Sequence, residues 1–432
     1  MTNCAKLVRM EIAKIILTAL TVLFGLIYCY QLFFILVGTL IRTKKYPEAK
    51  INHTFAVIIS ARNEEKVIGN LIESIRSQDF PQENVKIFVC ADNCTDKTAD
   101  ICRNLGATVY ERFNKKQIGK GYALNFLFKE IARDFPSYEP DAFFVFDADN
   151  ILSKNYFYEM NKALDAGEKV CTSYRNSKNF GTNWLSAGAS IGFMRECLFL
   201  HKPKQILGLS THISGTGFFV AKEVLTFKDG WNHVTLTEDL EFSAFNTLKG
   251  FRIAYNNQAV FYDEQPIKFK QTWTQRTRWA KGSLMGFSLF HYSLGVSFLK
   301  SLNFNYYEYY CRFFPISIYY CFSIITSYVL TILSFTLTKI DGSLGSTVYT
   351  IWPFLAPFIT TYLALFADVA LVTILQWNKI KAPAWKKIKY IFTTPIFNFI
   401  FTIPITIYAL FKKVKWEPIE HNQVVTQQQL DN

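Results

Sequence analysis

Long uncharged stretches lie near both ends of the chain, and shorter hydrophobic segments broken by polar residues lie between them. The first stretch, 15–41, contains 27 residues without a charge and is bounded by Lys14 and Arg42. About 20 apolar residues cross the hydrocarbon core of a bilayer, so this stretch is long enough to do so. The apolar part of a cleavable signal sequence is shorter, roughly 7–15 residues. We therefore expect a retained membrane helix.

Three further uncharged runs follow in the last third of the chain, at 313–338, 342–367 and 390–411. Each exceeds the length that a bilayer requires and has lysine or arginine near its borders, so membrane helices are favoured over buried core helices. The second run continues past Asp368 to residue 378. An acid inside a membrane helix is a functional candidate, but an ion pair at the membrane surface is the simpler explanation and the one we favour.

The basic residues of the C-terminal part give conflicting indications about topology. The connection 379–389 carries five lysines, which the positive-inside rule places in the cytoplasm. If the run 390–411 then crosses the membrane, the lysines of 412–415 lie outside, against the same rule. Pro395 and Pro404 interrupt this run, so a re-entrant course that returns the tail to the cytoplasm is the alternative. Both arrangements stay open at this point.

The middle of the chain, from 43 to 270, alternates between short hydrophobic strands and segments with helical spacing. This alternation predicts an α/β domain with a mostly parallel, Rossmann-like sheet. Polar clusters at Arg62, Asp92 and Asp147 follow three of the strands, and ligands bind beyond the carboxyl ends of strands in such sheets. The predicted strands are Thr54–Ser60, Val85–Cys90, Ala107–Glu111 and Ala142–Phe146, and the predicted helices are Val67–Arg76 and Gly121–Arg133.

These patterns divide the chain into five parts. The stretch after the soluble domain has a broad hydrophobic stripe among small and polar residues, which predicts an amphipathic helix or pair of helices at the membrane surface. The expected parts are an N-terminal membrane helix (1–45), a soluble domain (46–280), an interfacial stretch (281–304), C-terminal membrane helices (305–411) and a tail (412–432).

The composition supports a membrane protein and excludes two other classes. Half of the residues are hydrophobic and 17% are aromatic, whereas disordered chains are poor in aromatic residues. The net charge of +13 accompanies this hydrophobic excess, so a basic nucleic-acid-binding protein is not indicated and we expect no nucleic-acid partner. Nine scattered cysteines, an odd number, imply no disulfide framework.

Several common cofactor motifs are absent from the sequence. No strand is followed by Gly-x-Gly-x-x-Gly or by Gly-x-x-x-x-Gly-Lys-Ser/Thr, so a dinucleotide oxidoreductase or a P-loop NTPase is poorly supported. Cys90 and Cys94 have no second pair and no nearby histidine with the spacing of a zinc site. We expect them to be ordinary cysteines of a reducing compartment.

An Asp-x-Asp pair, Asp147 and Asp149, follows the predicted strand Ala142–Phe146. Two carboxylates on a turn can converge on a hard cation such as Mg²⁺ or Mn²⁺, whose remaining positions are filled by water and substrate phosphates. The pattern suits a nucleotide diphosphate, although by itself it is also typical of a solvated turn.

Two later clusters offer an acid–base group and a phosphate-binding group. Glu238 and Asp239 open an amphipathic stretch, where a carboxylate can serve as a general base and compensation of helix N-terminal charge is the alternative. Gln275, Arg278 and Trp279 combine a planar guanidinium, which matches phosphate oxygens, with a flat ring that can stack on a sugar. For this second cluster, an anchor at the membrane surface is the alternative.

Taken together and in this order, the motifs resemble those of membrane-embedded glycosyltransferase family 2, the group of cellulose, chitin, hyaluronan and poly-N-acetylglucosamine synthases. The resemblance covers roughly residues 50–285, and the motifs are specific only in combination. It implies a GT-A type nucleotide-sugar-binding domain inserted between transmembrane helices. The matching motifs are Asp92, Asp147-x-Asp149, Thr237-Glu238-Asp239 and Gln275-x-x-Arg278-Trp279.

The resemblance also implies roles for individual residues. The turn after the first strand would border the uridine of a UDP-sugar, Asp92 would bond the uracil edge, and Mg²⁺ or Mn²⁺ would be the cofactor. The segment 215–219 would line the acceptor site. The residues implied for the donor are Ala61, Arg62, Glu64, Asp92, Lys120 and Asp147; for the metal, Asp147 and Asp149; and for catalysis, Asp239 as the base with Glu238, Gln275, Arg278 and Trp279.

The function that the resemblance implies is an inverting UDP-sugar hexosyltransferase that elongates a β-linked polysaccharide. A single-addition enzyme that glycosylates a membrane lipid is the nearest alternative, and an inactive transferase-like scaffold subunit is another. The implied partners are a UDP-sugar, a carbohydrate or lipid acceptor, membrane lipids and an accessory subunit, with the catalytic domain on the cytoplasmic face of the cell membrane. We expect the tail to be solvated, although its compact segment Trp416–His421 makes closure over the nucleotide the alternative.

Overall fold

The computed structural model describes residues 3–314, the separate positions 325, 326, 329 and 332, and residues 344–431. The predicted membrane run 313–338 and the connection 339–343 therefore lie largely outside the described residues. The strands are β1 Phe55–Ala61, β2 Val85–Asp92, β3 Thr108–Arg112, β4 Ala142–Asp147, β5 Ile151–Leu152, β6 Val170–Ser177, β7 Phe218–Ala221 and β8 Ile253–Asp263. The helices are α1 Asn3–Tyr28, α2 Tyr30–Leu40, α3 Ile68–Arg76, α4 Thr98–Asn104, α5 Lys120–Asp134, α6 Tyr156–Asp165, α7 Trp184–Glu196, α8 Lys202–Ile206, α9 Glu238–Leu248, α10 Phe269–Ser301, α11 Phe304–Phe313, α12 Leu344–Leu375, α13 Ala384–Phe411 and α14 Gln427–Asp431, with a 3₁₀ turn at Gln82–Asn84 and a π turn at Cys197–His201.

The eight strands form one mixed sheet in the order β3-β2-β1-β4-β7-β6-β8-β5. The strands β1, β2, β3 and β4 pair in parallel, which confirms the predicted arrangement for this half of the sheet. In contrast, β7 runs antiparallel to both of its neighbours, with Phe218 opposite Val145 of β4. Because β7 enters in the reverse direction, the segment before it lies at the edge where β1, β2 and β4 end.

The two faces of the sheet carry separate hydrophobic clusters, so the central strands are buried on both sides. In β1, Val57 and Ile59 face the cluster that includes side chains of α3 and α6, whereas Ile58 faces the cluster built with α5. Strands covered on both faces are nearly continuous hydrophobic runs, as β1 and β4 are. In β1 and β4, polar side chains are therefore confined to the strand ends, where the chain leaves the core.

Three of the described helical segments are long and apolar enough to cross a membrane: Thr18–Leu40, Phe358–Leu375 and Ala384–Phe411. The first of them is attached to the soluble domain through α2. The Lys202 ammonium donates to the Gly38 carbonyl at 2.7 Å, and a side chain on Gly38 would collide with the Leu198 carbonyl of the π turn. This close backbone approach requires glycine and fixes the N-terminal helices on the domain.

Asp368, the acid in a predicted membrane run, forms an ion pair with Arg195 at 2.7 Å. This contact joins α12 to α7 of the soluble domain. Asp368 thus has the ion-pair partner that the explanation favoured by the sequence requires.

Helix α10 is a single helix of 33 residues that begins inside the soluble domain and continues through the predicted interfacial stretch. Helix α13 packs against α10, and a hydrogen bond attaches it to the rest of the protein near each of its ends. Near its start, Lys386 donates to the Gly181 carbonyl at 2.6 Å, and near its end the Ala409 carbonyl accepts from Lys281 of α10 at 3.0 Å. The last apolar run therefore lies along the soluble domain over its whole length.

Candidate active site

A cleft of about 360 Å³ opens at the edge where β1, β2 and β4 end. Every residue that the sequence singled out for donor, metal or catalytic roles lines it, although these residues come from six separate segments of the chain. The edge is the one that parallel sheets use for ligands. The predicted residues in its wall are Ala61, Arg62, Glu64, Asp92, Lys120, Asp147, Asp149, Glu238, Asp239, Gln275, Arg278 and Trp279.

Two asparagines shape the loops that leave β1 and β2. Asn63 and Asn93 have φ angles of 56° and 55°, a left-handed conformation that asparagine tolerates better than most residues. The Asn63 side-chain oxygen accepts from the Thr95 amide at 2.8 Å, which holds the two loops together. Beside them, Arg112 donates to the Asp92 carboxylate at 2.6 Å, so the orientation of this buried acid is fixed.

Lys120 connects the ends of two strands at the centre of the cleft. It begins α5, and its ammonium pairs with the Asp147 carboxylate and donates to the Gly215 carbonyl at 2.7 Å. The Asp147 amide donates to the Thr216 hydroxyl at 2.9 Å. These bonds tie β4 to the segment that precedes β7.

Asp149 lies in a dense group of acids. It is buried, and its Oδ2 accepts from the Glu264 amide at 2.7 Å. Burial by itself would raise the pKa of Asp149, but the nearby cations His421 and Lys178 lower it below its ordinary value. The carboxylate is therefore ionised, and together with Asp147 it offers the oxygen-rich donor set that a hard divalent cation prefers. The residues present thus fit a metal of this class.

Glu238 and Asp239 form the first turn of α9. Asp239 Oδ2 lies 3.4 Å from the position that a Cβ on Gly215 would occupy, and Gly215 has a φ angle of 83°. Burial raises the pKa of both carboxyls, and the repulsion between them adds to the shift of Glu238. The third acid of this cluster, Glu241, has a different environment, because it accepts from the Thr235 amide at 2.9 Å and faces His233.

The face of α10 that carries the third motif packs on α9 and α7. The Trp279 ring meets the Phe193 ring edge-on, with 5.9 Å between their centres. Gly282 lies one turn after Trp279, and a side chain at this position would collide with Thr237. Among the described residues, Nε of Arg278 has no hydrogen-bond partner although it is buried. The helix thus presents a guanidinium with an unused donor to the cleft.

Part of the C-terminal tail is docked on the soluble domain, which differs from the solvated tail that we expected. Residues 416–423, which we call the C-terminal strap, cover the cleft and supply Trp416 and His421 to its wall. The Trp416 ring lies 5.4 Å from the Arg62 guanidinium and 6.0 Å from that of Arg278. The groups that bind the tail come from distant segments, so the compact segment Trp416–His421 was the one local signal of this docking.

The strap is also held by acids of the cleft. The Glu264 carboxylate accepts from the backbone amides of Asn422 and Gln423 at 3.1 and 2.9 Å, and His421 Nδ1 lies 3.0 Å from the Glu64 carboxylate. Burial alone would lower the pKa of His421, but the carboxylates of Asp149, Glu64 and Glu264 raise it to about 10. The imidazole is therefore a cation at neutral pH.

Sequence reasoning missed a further set of residues in the wall of the cleft. Arg175, which forms an ion pair with Asp263 at 2.5 Å, is one of them. They belong to β6, to β8 and the residue after it, to α7, to α11 and to the segment before β7, and none of them is part of a motif that the sequence offered. The missed residues in the wall are Arg175, Phe193, Glu196, His212, Ser214, Asp263, Glu264 and Arg312.

Comparison with known protein families gives one match, which covers most of the residues that line the cleft. The profile of a family described as "Glycosyltransferase like family 2" matches residues 53–282, more than half of the chain. These residues include every strand of the sheet and all three motifs.

Curated relatives are more distant. A probable glycosyltransferase of Bacillus subtilis (strain 168), YdaM, is 27% identical over 252 residues, which cover 53% of this chain and 54% of that protein. A β-monoglucosyldiacylglycerol synthase of Synechocystis sp. is 25% identical over 246 residues, which cover 56% of this chain and 48% of that protein. The chain thus spans about half the length of the curated relatives that it matches.

One solved structure resembles nearly the whole chain. The mannosyltransferase PcManGT from Pyrobaculum calidifontis, in complex with GDP-Man and Mn²⁺, superposes with a TM-score of 0.56 at 15% identity. The match covers 93% of this chain and 99% of that one. At this level of identity the likeness concerns the fold alone.

Proposed function

The chain belongs to glycosyltransferase family 2, and we propose that it transfers a sugar from a UDP-sugar to an acceptor at the membrane, with inversion at the anomeric carbon. The expected GT-A fold is confirmed by the family match and by the likeness to the mannosyltransferase structure. The donor, the acceptor and the roles of individual residues are the parts that we propose.

The observation that carries the proposal is the convergence of three kinds of group in one cleft. Asp239 offers a carboxylate with a raised pKa, Lys120 and Arg278 offer cations, and Asp147 and Asp149 offer the ligands of a divalent cation. An acid–base group, phosphate-binding cations and a metal-binding pair are what displacement of a nucleotide diphosphate from a sugar requires. None of these groups suffices without the others.

The donor nucleotide fits the end of the cleft between β1 and β2. Arg62 and Asp92 follow these two strands, and Asp92 keeps one carboxylate oxygen beyond its bond to Arg112 for a base edge. The strap closes the same end through Trp416. The resemblance of the motifs to those of UDP-sugar enzymes supports uridine as the base.

A divalent metal, Mg²⁺ or Mn²⁺, would be held by Asp147 and Asp149, with His421 of the strap close enough to Asp149 to influence its charge. When bound, it would neutralise part of the charge on the diphosphate. The resembling mannosyltransferase was solved with Mn²⁺, which supports a metal of this class.

In the proposed reaction, a hydroxyl oxygen of the acceptor attacks the anomeric carbon of the donor as the bond from that carbon to the diphosphate breaks. Asp239 takes the hydroxyl proton on its carboxylate. Lys120 and Arg278 stabilise the negative charge that develops on the leaving diphosphate. Trp279 stacks on the acceptor and orients its hydroxyl. An α-linked donor then gives a β-linked product without a covalent enzyme intermediate.

Two acceptors are compatible with this chemistry. A growing β-linked polysaccharide is supported by the resemblance of the combined motifs to polysaccharide synthases and by the membrane-helix candidates that follow the domain. A membrane lipid is supported by the Synechocystis relative, which is named as a β-monoglucosyldiacylglycerol synthase. In both cases the catalytic domain would act on the cytoplasmic face, where UDP-sugars are available.

The decisive experiment compares two acids of one helical turn. We expect Asp239→Asn to lower sugar transfer at least about 100-fold, the contribution of a general base, with UDP still bound. Glu241→Gln is the matched control, because Glu241 belongs to the same acidic cluster but bonds Thr235 and does not line the cleft.

Transfer is measured as UDP release and labelled product with a panel of UDP-glucose, UDP-N-acetylglucosamine and UDP-glucuronate. A ladder of product lengths supports the polymer acceptor, and a single-sugar lipid supports the alternative. Unchanged transfer by Asp239→Asn would refute the base assignment. Absence of UDP release with every donor and metal would favour the inactive scaffold.

A further inference from the structure

The segment before β7 forms one wall of the cleft, and its successive residues lie along that wall. Gly215 lies beside Asp239 and bonds Lys120, at the proposed reaction centre. The Ser214 carbonyl accepts from Arg175 at 3.1 Å, one residue further away. His212 also lines the cleft, still further along the same segment. The cleft therefore extends along this segment from Gly215, beside the general base, to His212.

A cluster of three polar side chains, which the proposed reaction does not use, lies at this far end of the cleft. His212 Nε2 pairs with the Glu196 carboxylate at 2.8 Å, and the Arg312 guanidinium lies 3.8 Å from the same carboxylate. All three residues line the cleft. Burial alone would raise the pKa of Glu196, but His212 and Arg312 hold it below its usual range, whereas burial lowers the pKa of His212. The pair is therefore a carboxylate accepting from a neutral imidazole.

This pairing leaves one acceptor and one donor unused. With Nε2–H directed at Glu196, Nδ1 of His212 is an acceptor, and it has no partner among the residues that the structure describes. Nε of Arg312 is likewise buried and without a partner within the described part of the chain. His212 is only 2% exposed, so its unpaired nitrogen costs stability unless a ligand satisfies it.

Aromatic groups complete the far end. Phe193 lies between the Trp279 ring and the Arg175 guanidinium, which is 3.6 Å from the centre of the Phe193 ring. Flat rings beside paired donors and acceptors suit a sugar, whose ring has an apolar face and a rim of hydroxyls. A lipid chain would leave the buried polar atoms unsatisfied.

A metal ion is the other ligand to consider here, because Glu196, His201 and His212 offer ligand atoms within 4.8 Å of one another. The guanidinium of Arg312 beside Glu196 opposes a second cation. Nδ1 of His201 is already bonded to the Thr211 hydroxyl at 2.5 Å. These contacts favour a neutral, hydroxyl-bearing ligand.

We propose that Glu196, His212 and Arg312 form an acceptor subsite that binds the hydroxyls of a sugar unit already present on the acceptor. The proposal rests on the proposed function and sharpens it: the acceptor is a glycan or a glycolipid, and a lipid without sugar is a poor substrate. His212 accepts from one hydroxyl, and Arg312 donates to another. Glu196 is a positioning residue that holds both side chains.

The position of the subsite agrees with this assignment. Arg312 lies near the end of α11, directly before the uncharged run 313–338 of the sequence. The Tyr307 hydroxyl of the same helix donates to the Ile27 carbonyl of α1 at 2.6 Å, so α11 is attached to a helix that continues into a membrane-span candidate. An acceptor that passes Trp279 thus reaches the subsite where the cleft meets the membrane helices.

The test is equilibrium binding of four acceptors to the purified full chain in detergent micelles, with UDP and Mn²⁺ present. The acceptors are cellobiose, N,N′-diacetylchitobiose, glucosyl-diacylglycerol and dioleoylglycerol. His212→Gln keeps a donor near Glu196 and removes the free acceptor nitrogen. We expect it to weaken binding of the sugar-bearing acceptors about tenfold, the loss of one buried hydrogen bond, and to leave dioleoylglycerol unchanged.

The matched control is Glu168→Gln, which removes a carboxylate paired with Arg252 at 2.7 Å outside the cleft and should bind every acceptor as wild type does. Thermal unfolding of each variant shows that the fold is retained, and Glu196→Gln provides a second variant with the same expected loss. Preference for the disaccharides identifies a glycan acceptor, and preference for glucosyl-diacylglycerol a glycolipid.

Equal binding of dioleoylglycerol and the sugar-bearing acceptors would overturn the subsite, as would identical binding by the His212 and Glu168 variants. One bound zinc ion that His212→Gln loses would overturn it as well, because a metal would then occupy the site. If sugar-bearing acceptors bind as expected but no UDP-sugar releases UDP, the proposed function fails and the subsite stands.

Discussion

Glu238 and Asp239 are adjacent in the chain, yet the proposed reaction needs a proton acceptor at only one of them. Burial and the charge of Asp239 raise the pKa of Glu238 to about 7, and burial also raises that of Asp239. Two carboxyls that interact in this way titrate as a pair, so each charge opposes the ionisation of the other. The general base must be ionised to act, and activity should therefore fall as the pH drops through this range.

Removing the neighbouring charge gives a prediction for the pH profile. We expect Glu238→Gln to move the acidic limb of the kcat profile to lower pH, since loss of a like charge lowers the pKa of Asp239. The measurement is kcat between pH 5 and pH 9 at saturating donor. Glu241→Gln should leave the limb in place, because that acid interacts with His233.

A limb that moves to higher pH in Glu238→Gln would mean that Glu238 stabilises the base in its ionised form. A limb that does not move would mean that another group controls the profile. Either result would contradict the proposed effect of the Glu238 charge on the pKa of Asp239.

At the scale of residues, the sequence identified groups whose position follows from the ends of strands or from a motif. Asp92 and Asp147 were predictable because they close buried strands, where polar side chains must lie at the ligand-binding edge. His212 and Arg312 were not, because each has an ordinary local sequence. Only the fold brings them together, from the segment before β7 and from α11.

At the scale of elements, β1, β2, β3 and β4 were predicted to within two residues at each end. The prediction omitted β5, β6, β7 and β8 of the second half of the soluble domain, of which β7 has only four residues and β5 only two. Such short strands show no periodicity that distinguishes them from loops. Their pairing with β4, β6 and β8 depends on contacts across the sheet.

The C-terminal strap is the element whose role is easiest to test. Trp416 lies against Arg62 and Arg278, and a cation–π contact stabilises by about 0.5–2 kcal/mol. Without the ring, both guanidiniums lose a fixed position beside the nucleotide. We expect Trp416→Ala to weaken UDP binding about tenfold, which corresponds to about 1.4 kcal/mol. Calorimetric titration with UDP and Mn²⁺ measures the change.

Trp385→Ala is the control for this experiment, because Trp385 is 60% exposed on α13 and does not line the cleft. It should bind UDP as wild type does. If Trp416→Ala also bound UDP normally, the strap would be a cover that contributes nothing to the donor site. Tighter binding would instead mean that the strap obstructs entry of the nucleotide.

At the scale of the whole molecule, the strap favours one of the two topologies that the sequence left open. Trp416 reaches the cleft only five residues after α13 ends at Phe411, and the start of α13 is bonded to the domain at Gly181. A helix that crossed the membrane would separate its two ends by roughly 30 Å of hydrocarbon. We therefore expect both ends of α13 to lie on the side of the catalytic domain.

The side chains of α13 agree with a helix that lies at the membrane surface. Phe397, Phe401 and Ile405 are buried against the protein, whereas Phe392 and Phe411 on the other side are exposed. One apolar face thus packs on the domain and a second apolar face is exposed, which is the pattern we expect of a helix that lies at the membrane surface without spanning. This arrangement also agrees with the positive-inside rule, because the lysines of 379–389 and 412–415 then lie on the same side of the membrane.

This arrangement predicts where inserted epitope tags are accessible. A tag after Asn432 and a tag between Lys115 and Lys116 of the domain should both bind antibody only after the membrane is permeabilised. A tag between Gly342 and Ser343, in the connection between the two apolar runs that precede α13, should bind antibody on intact cells. Labelling of the tag after Asn432 on intact cells would show that α13 crosses the membrane. The strap could then not reach the cleft, and the donor site would have to bind UDP without Trp416 and His421.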